Sequence, residues 1–283
     1  MKLNEAFAPQ GREKLKQFWI HVDKVLLGIL LILLLMISTL TAVAQSMTYK
    51  QSFDLSAGGI HQGSFDVGDE NTIAHDLAFS ADGLTMFVVD TQNDNEINQY
   101  SLTNPFDITS DVAVDGSPLD VSGVEEDIMG LAFSNDGLRL FIVGHATDAV
   151  HQYTLSSAFD INSTVTYIGS HDVSSEDIYP YGIEFNDDGT KMYVLGSYSN
   201  DINQYSLSNP FDITSGVTFD GNSISFYPLV NNDRTFIFGQ DGSKVYVVGM
   251  TYDQVTQYSL ATPYDVTSGM TYDGIQFYLG GQI

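Results

Sequence analysis

Four near-copies of one unit run through this chain, and that repetition constrains its fold more than any other feature. Ile97–Thr109 reads INQYSLTNPFDIT; copies start at Val150 (VHQYTLSSAFDIN), Ile202 (INQYSLSNPFDIT) and Val255 (VTQYSLATPYDVT). The tyrosines at 100, 153, 205 and 258 lie 53, 52 and 53 residues apart. A second block precedes each: LAFSADG from Leu77, LAFSNDG from Leu131, IEFNDDG from Ile183 and FIFGQDG from Phe236. Together the copies fill 73–283.

Each copy carries four short strand signals. The first ends at an Asp-Gly pair, which supplies the backbone freedom of a tight hairpin turn. The second is apolar throughout (TMFVVD, RLFIVG, KMYVLG, KVYVVG), as expected of a strand covered on both faces. The third contains the Gln-Tyr pair, and the fourth begins near Val112, Val165, Val217 and Met270, after a loop carrying Pro or Asp where the chain must turn. A tandem unit of four antiparallel strands and about 53 residues is what a β-propeller blade requires. The expected fold is therefore an all-β propeller of four blades, about 73–126, 127–178, 179–231 and 232–283.

The strand–turn–strand LAFSADGLTMFVV resembles the blade motif of TolB-like and lactonase-like propellers. The whole repeat resembles the NQYTLSTPFDV-type repeats of uncharacterised propellers in marine bacteria and phages. The resemblance implies a fold and no reaction.

The segment before the repeats has a different character. Arg12, Lys14, Lys16 and Lys24 precede the apolar run Val25–Ala44, which ends in Ala42-Val43-Ala44. That order reads as a signal peptide over residues 1–44. A 20-residue run is also long enough for a membrane-anchoring helix, so contact with a membrane is expected only through residues 25–44 if they stay uncleaved. Export to the periplasm, the cell surface or the exterior follows from either reading. Residues 45–72 form a lead-in, in which Met47–Leu55 (MTYKQSFDL) matches the fourth strand of a blade. Such a spare strand leaves two assemblies open: a closed four-bladed monomer, or a half-ring that pairs with a second chain.

Charge narrows the partners. Residues 45–283 hold 5 basic against 33 acidic side chains, which excludes nucleic acid as a partner for the folded part. With no cysteine there are neither disulfides nor thiolate metal sites.

Function is expected where the copies differ. In a propeller, the turns after the first and third strands lie on one rim and the remaining loops on the other. The Asp-Gly and Pro-Phe-Asp turns therefore form a uniform rim, and the opposite rim collects variable acids. Candidate binding residues there are Asp69, Glu70, Glu125, Glu126, Asp127, His145, Asp148, Glu176, Asp177, Asp201, Asp233 and Asp253. Tyr181, Tyr198 and Tyr252 lie nearby. These groups suit a cation, a protein or a glycan. No cofactor is expected, although calcium suits carboxylate-rich loops. No histidine pair has metal-site spacing and no G-x-S-x-G elbow occurs. Glu184, which replaces Ala78 and Ala132, is the one carboxylate expected to face the channel. The principal expectation is a non-catalytic binding or structural module. The alternatives are a metal-dependent hydrolase or lactonase with its site at the channel mouth, and a surface adhesion component.

Overall fold

The computed structural model describes residues 62, 64–68, 73–91, 95–227, 230, 233–239, 241–250 and 252–278. The apolar run Val25–Ala44 and the spare strand Met47–Leu55 lie outside them. Among the described residues no helix is long and apolar enough to cross a membrane.

The repeats form four antiparallel sheets whose strands follow chain order. The first blade contains β1 (Ala74–Phe79), β2 (Thr85–Asp90), β3 (Glu96–Leu102) and β4 (Val112–Val114), with β5 (Leu119–Asp120) also pairing β3. The second contains β6 (Ile128–Phe133), β7 (Arg139–Gly144), β8 (Ala149–Leu155) and β9 (Val165–Asp172). The third contains β10 (Pro180–Phe185), β11 (Lys191–Gly196), β12 (Asp201–Leu207) and β13 (Val217–Asn222). The fourth contains β14 (Asp233–Phe238), β15 (Lys244–Gly249), β16 (Gln254–Thr262) and β17 (Asp265–Tyr278). In the first blade the outer strand is split in two, and Pro118 in the gap has no amide to give a ladder.

Apolar alternation on the second and third strands stacks the blades. Phe87, Val89 and Ile97 of the first blade pack with Leu131, Leu140 and Ile142 of the second. Phe141, Val143 and Val150 meet Ile183, Met192 and Val194 of the third. Tyr193, Leu195 and Ile202 meet Phe236, Val245 and Val247 of the fourth.

The repeated Gln fastens each junction. Gln99 Oε1 accepts the amide of Ile161 at 2.9 Å, Gln152 that of Ile213 at 3.0 Å, and Gln204 that of Val266 at 2.9 Å. Each bond joins one blade to the next and satisfies a buried donor that would otherwise be costly.

The uniform rim is built from turn chemistry. Asp82, Asp136, Asp188 and Asp241 each accept the amide two residues on, at 3.0 Å. Asp107, Asp160, Asp212 and Asp265 do the same in the second set of turns. Between the two sets lies an aromatic ring. Phe159, at φ 52°, donates its amide to Gly137 O and lays its ring where a Gly137 Cβ would stand. Gly137 itself has φ 69°, so both backbone angle and space require glycine.

At the axis, the innermost strand of each blade lies against the next, β1 by β6, β6 by β10 and β10 by β14. Gly130 allows this closeness, because a Cβ there would strike the carbonyl of Tyr181. β1 also meets β14 at the axis, where Thr235 hydrogen-bonds the Asp76 carboxylate. The blade faces of β1 and β14 are not covered as at the other junctions. Leu77 is 56% exposed, whereas its counterparts Leu131, Ile183 and Phe236 are buried. On the far side of the fourth blade Ile237 is 49% exposed, whereas its counterpart Ala132 is buried.

Candidate functional site

Alignment on the first-strand block places four unlike residues at one level of the axis: His75, Met129, Tyr181 and Arg234. One step down the chain stand Asp76, Gly130, Gly182 and Thr235, and lower still Ala78, Ala132, Glu184 and Ile237. Scaffold positions repeat across all four copies; the first level repeats nowhere, and the other two keep only a shared Gly or Ala pair.

Asp76 is the centre of the second level. Its Oδ2 accepts the Leu131 amide at 3.1 Å, and Thr235 donates to the carboxylate from the fourth blade. Gly130 leaves the carboxylate room, since a Cβ there would stand 3.3 Å from Asp76 Oδ2. Burial pushes the Asp76 carboxyl up to about 7, against the lowering effect of its hydrogen bonds. Glu184 is pushed up to about 8 by burial and then by the negative charge of Asp76. Both carboxyls are walled in by inner strands, yet each keeps part of its surface open, as groups lining the middle of a ring do. Two carboxyls that resist ionisation in one place can divide acid and base roles at neutral pH.

Above them lies an aromatic and cationic mouth. The His75 ring is 6.2 Å from that of Tyr181, and the Arg234 guanidinium lies 4.9 Å from the Tyr181 centroid. Burial and then the Arg234 charge lower the His75 pKa, favouring the neutral, proton-accepting imidazole. Of the other described cations, Lys191 pairs with Asp220, Lys244 pairs with Asp273, and Arg139 donates to Pro210 O and Phe211 O. No described carboxylate pairs with Arg234, which touches Met250 Sδ at 3.2 Å instead.

A cavity of ≈ 220 Å³ opens beside this cluster on the face of the first blade that no described blade covers. β1 lines it with Ala74, His75, Asp76 and Leu77; the other walls are Phe65, Val67, Met86, Val88 and Ile108. An apolar recess holding a few polar groups with shifted pKa values has the form of a small-molecule site.

The rim acids are placed differently. Glu125 is fully buried and accepts the amides of Asp127 (2.9 Å) and Ala146 (3.1 Å) and the hydroxyl of Thr147 (2.5 Å). Asp177 repeats this in the third blade, accepting Tyr179 N at 2.6 Å and Ser199 N at 2.8 Å. Asp201 accepts the Ser199 hydroxyl at 2.6 Å. Asp148 and Asp253 occupy the left-handed turn position also held by Asn95 and Asn200, which Asn and Asp tolerate best. Glu176 accepts the Tyr205 hydroxyl at 3.3 Å, and Glu126 is exposed. Asp127 pairs with His145 at 2.6 Å, and His145 stacks on Tyr181 with ring centroids 6.0 Å apart, so among the described rim side chains this pair borders the channel cluster. Asp69 and Glu70 lie outside the described residues, as does the Asp233 side chain. Among the described residues no three His, Asp or Glu side chains come together to hold a metal ion.

Sequence reasoning named Glu184 and missed Asp76, His75 and Arg234. The signal that marks all four is the disagreement of the copies at the first-strand positions, read inward from LAFSADG rather than outward into the loops.

No family model and no curated protein matches the chain. Among solved structures it is similar to a 6-phosphogluconolactonase candidate from Bacteroides uniformis, at 16% identity and TM-score 0.47, over 72% of this chain and 55% of that one. It is similar to a periplasmic gluconolactonase from Pseudomonas aeruginosa at 19% identity and TM-score 0.45, with the same coverage. A hydrazine synthase from Kuenenia stuttgartiensis is similar at 15% identity and TM-score 0.45, over 77% of this chain and 52% of its own. The chain thus spans about half the length of the solved structures it matches. The expectation of a non-catalytic binding or structural module with recognition on the acidic rim is corrected by the channel: ionisable groups converge there, while most described rim acids hold turns.

Proposed function

We propose that this chain is a hydrolase of the lactonase type whose site is the channel cluster of His75, Asp76, Glu184 and Arg234. The observation that carries the reading is the meeting of Asp76, from the first blade, with Leu131 N and Thr235 of two others, beside His75 and an Arg234 that no described carboxylate neutralises. Neutral His75 takes a proton from water as the water oxygen bonds to the lactone acyl carbon. Arg234 offsets the negative charge that develops on the acyl oxygen. The ring C–O bond then breaks, and protonated Asp76 gives its proton to the departing alkoxide. The product is a hydroxy acid, and the imidazolium returns its proton to Asp76. Glu184, kept neutral by burial and by Asp76, adds no second charge.

The carboxylate product is repelled by the chain's net charge of −26, which aids release. A lactonase named periplasmic supports export of this chain as well, in line with the basic, apolar and Ala-Val-Ala order of residues 1–44.

The test is a pH-stat titration of acid released from simple γ- and δ-lactones. Asp76→Asn and His75→Ala are each expected to lower kcat by about 10²-fold or more. Wild-type protein that releases no acid from any lactone, or variants that match it, would sink the reading.

A further inference from the structure

We infer that the groove on the exposed face of the first blade holds the apolar tail of the substrate, so that the channel site takes uncharged lactones bearing an alkyl or aryl group. This inference rests on the hydrolase reading above and adds the substrate class.

Among the described residues, the groove exists because no blade covers that face as one does at the other three junctions. At the other junctions the counterparts of Leu77 are buried against the preceding blade, whereas Leu77 is 56% exposed, with Met86 and Val88 buried beneath it. On the first blade Phe65 and Val67 cover part of that face, with Phe65 edge-on to Tyr100 at 5.8 Å. Between them and Leu77, Met86, Val88 and Ile108 remains the ≈ 220 Å³ space. A space of about 150 Å³ holds a benzene ring, so this one suits a ring or a short chain and is too small for a blade or a strand.

Its chemistry selects among lactones. Among the lining residues only His75 and Asp76 are ionisable, and both stand on β1, the strand nearest the axis. The hydroxyls of a sugar lactone lying along the apolar walls would lose their bonds to water and gain none. A phosphate or carboxylate would find no cation on the walls and would face the acidic chain. A tail lying outward along the groove leaves the acyl carbon beside His75 and Asp76.

The decisive experiment measures kcat/KM for γ-butyrolactone, γ-heptalactone, γ-nonalactone and glucono-δ-lactone, together with calorimetric binding of 5-pentyl-2-pyrrolidone, a lactam the enzyme is not expected to open. Wild-type kcat/KM should rise about 3- to 4-fold per methylene before levelling off, and the lactam should bind saturably. Leu77→Glu and Met86→Glu should abolish the chain-length dependence and the lactam binding, with circular dichroism confirming that each variant folds. If either variant fails to fold, Leu77→Ser and Met86→Ser replace it. Hydrolysis with no dependence on chain length, or a preference for glucono-δ-lactone, overturns the inference and leaves the hydrolase reading standing. Lactam binding that depends on Leu77, with no hydrolysis of any lactone, upholds the groove and overturns the hydrolase reading. A lactam that does not bind, because a second copy or another segment of the chain fills the groove, overturns the inference.

Discussion

At the scale of single residues, Asp76 and Glu184 decide how this protein answers to pH. Both carboxyls are harder to ionise in the fold than in the unfolded chain, where carboxyls titrate near about 4. The folded state therefore holds protons that the unfolded state has released. Their contribution to stability is full below about pH 4 and is lost as pH rises through about 7 for Asp76 and about 8 for Glu184. His75 acts in the opposite sense: its pKa is lowered, so its contribution is lost as pH falls below the ordinary histidine range. Replacing both acids by their amides, Asp76→Asn with Glu184→Gln, should raise stability at pH 9 by ~2 kcal/mol, discounted for the part of each carboxyl that water reaches. At pH 4 it should change little. Urea unfolding at the two pH values measures this; an equal effect at both would mean the acids are not held protonated.

At the scale of the element, what holds one blade to another is partly apolar and partly the bond from a third-strand Gln to the next blade. Gln152→Leu keeps the side-chain volume and removes the acceptor, leaving the Ile213 amide buried and unsatisfied at the second junction. The expected loss is about 1–3 kcal/mol, read as a lower urea midpoint with an unchanged slope. A midpoint equal to wild type would show that water or another group takes the place of the Gln. On the uniform rim, Gly137→Ala combines a left-handed backbone with the Phe159 ring. It should cost at least about 1 kcal/mol, and an unchanged melting temperature would remove the aromatic lid from the account of why this glycine recurs.

At the scale of the whole molecule, charge and closure dominate. The chain carries −26, and most described acids stand in turns on the two rims, so self-repulsion opposes compactness and is screened by salt. The melting temperature should rise by several degrees between 10 mM and 500 mM NaCl, as differential scanning fluorimetry would show. A fall over that range would mean that paired charges outweigh repulsion. Closure is uneven: β1 and β14 meet at the axis through Asp76 and Thr235, while Leu77 and Ile237 on the same two strands stay exposed. The axial contact makes the site and the exposed face makes the groove.

How much of this was legible beforehand follows from which interactions are local. A 53-residue period, an Asp-Gly turn after each first strand and apolar second strands are properties of neighbouring residues, so blade number, strand order and the duties of the turn aspartates could be read directly. Gln99 was legible as a residue that bonds a neighbouring backbone, though not as one that reaches Ile161, 62 positions away. The rim acids misled because acidity in a loop looks the same whether the carboxylate points to solvent or, like Glu125, folds inward onto its own loop amides. Asp76 could not be recognised as central, because its environment comes from Leu131 and Thr235, 55 and 159 residues on. The repeat by itself determined a propeller, since each unit exposes two apolar faces that only stacked units can cover. Tertiary structure alone decided which unlike residues meet at the axis and which face stays open, because both depend on how the last blade returns to the first.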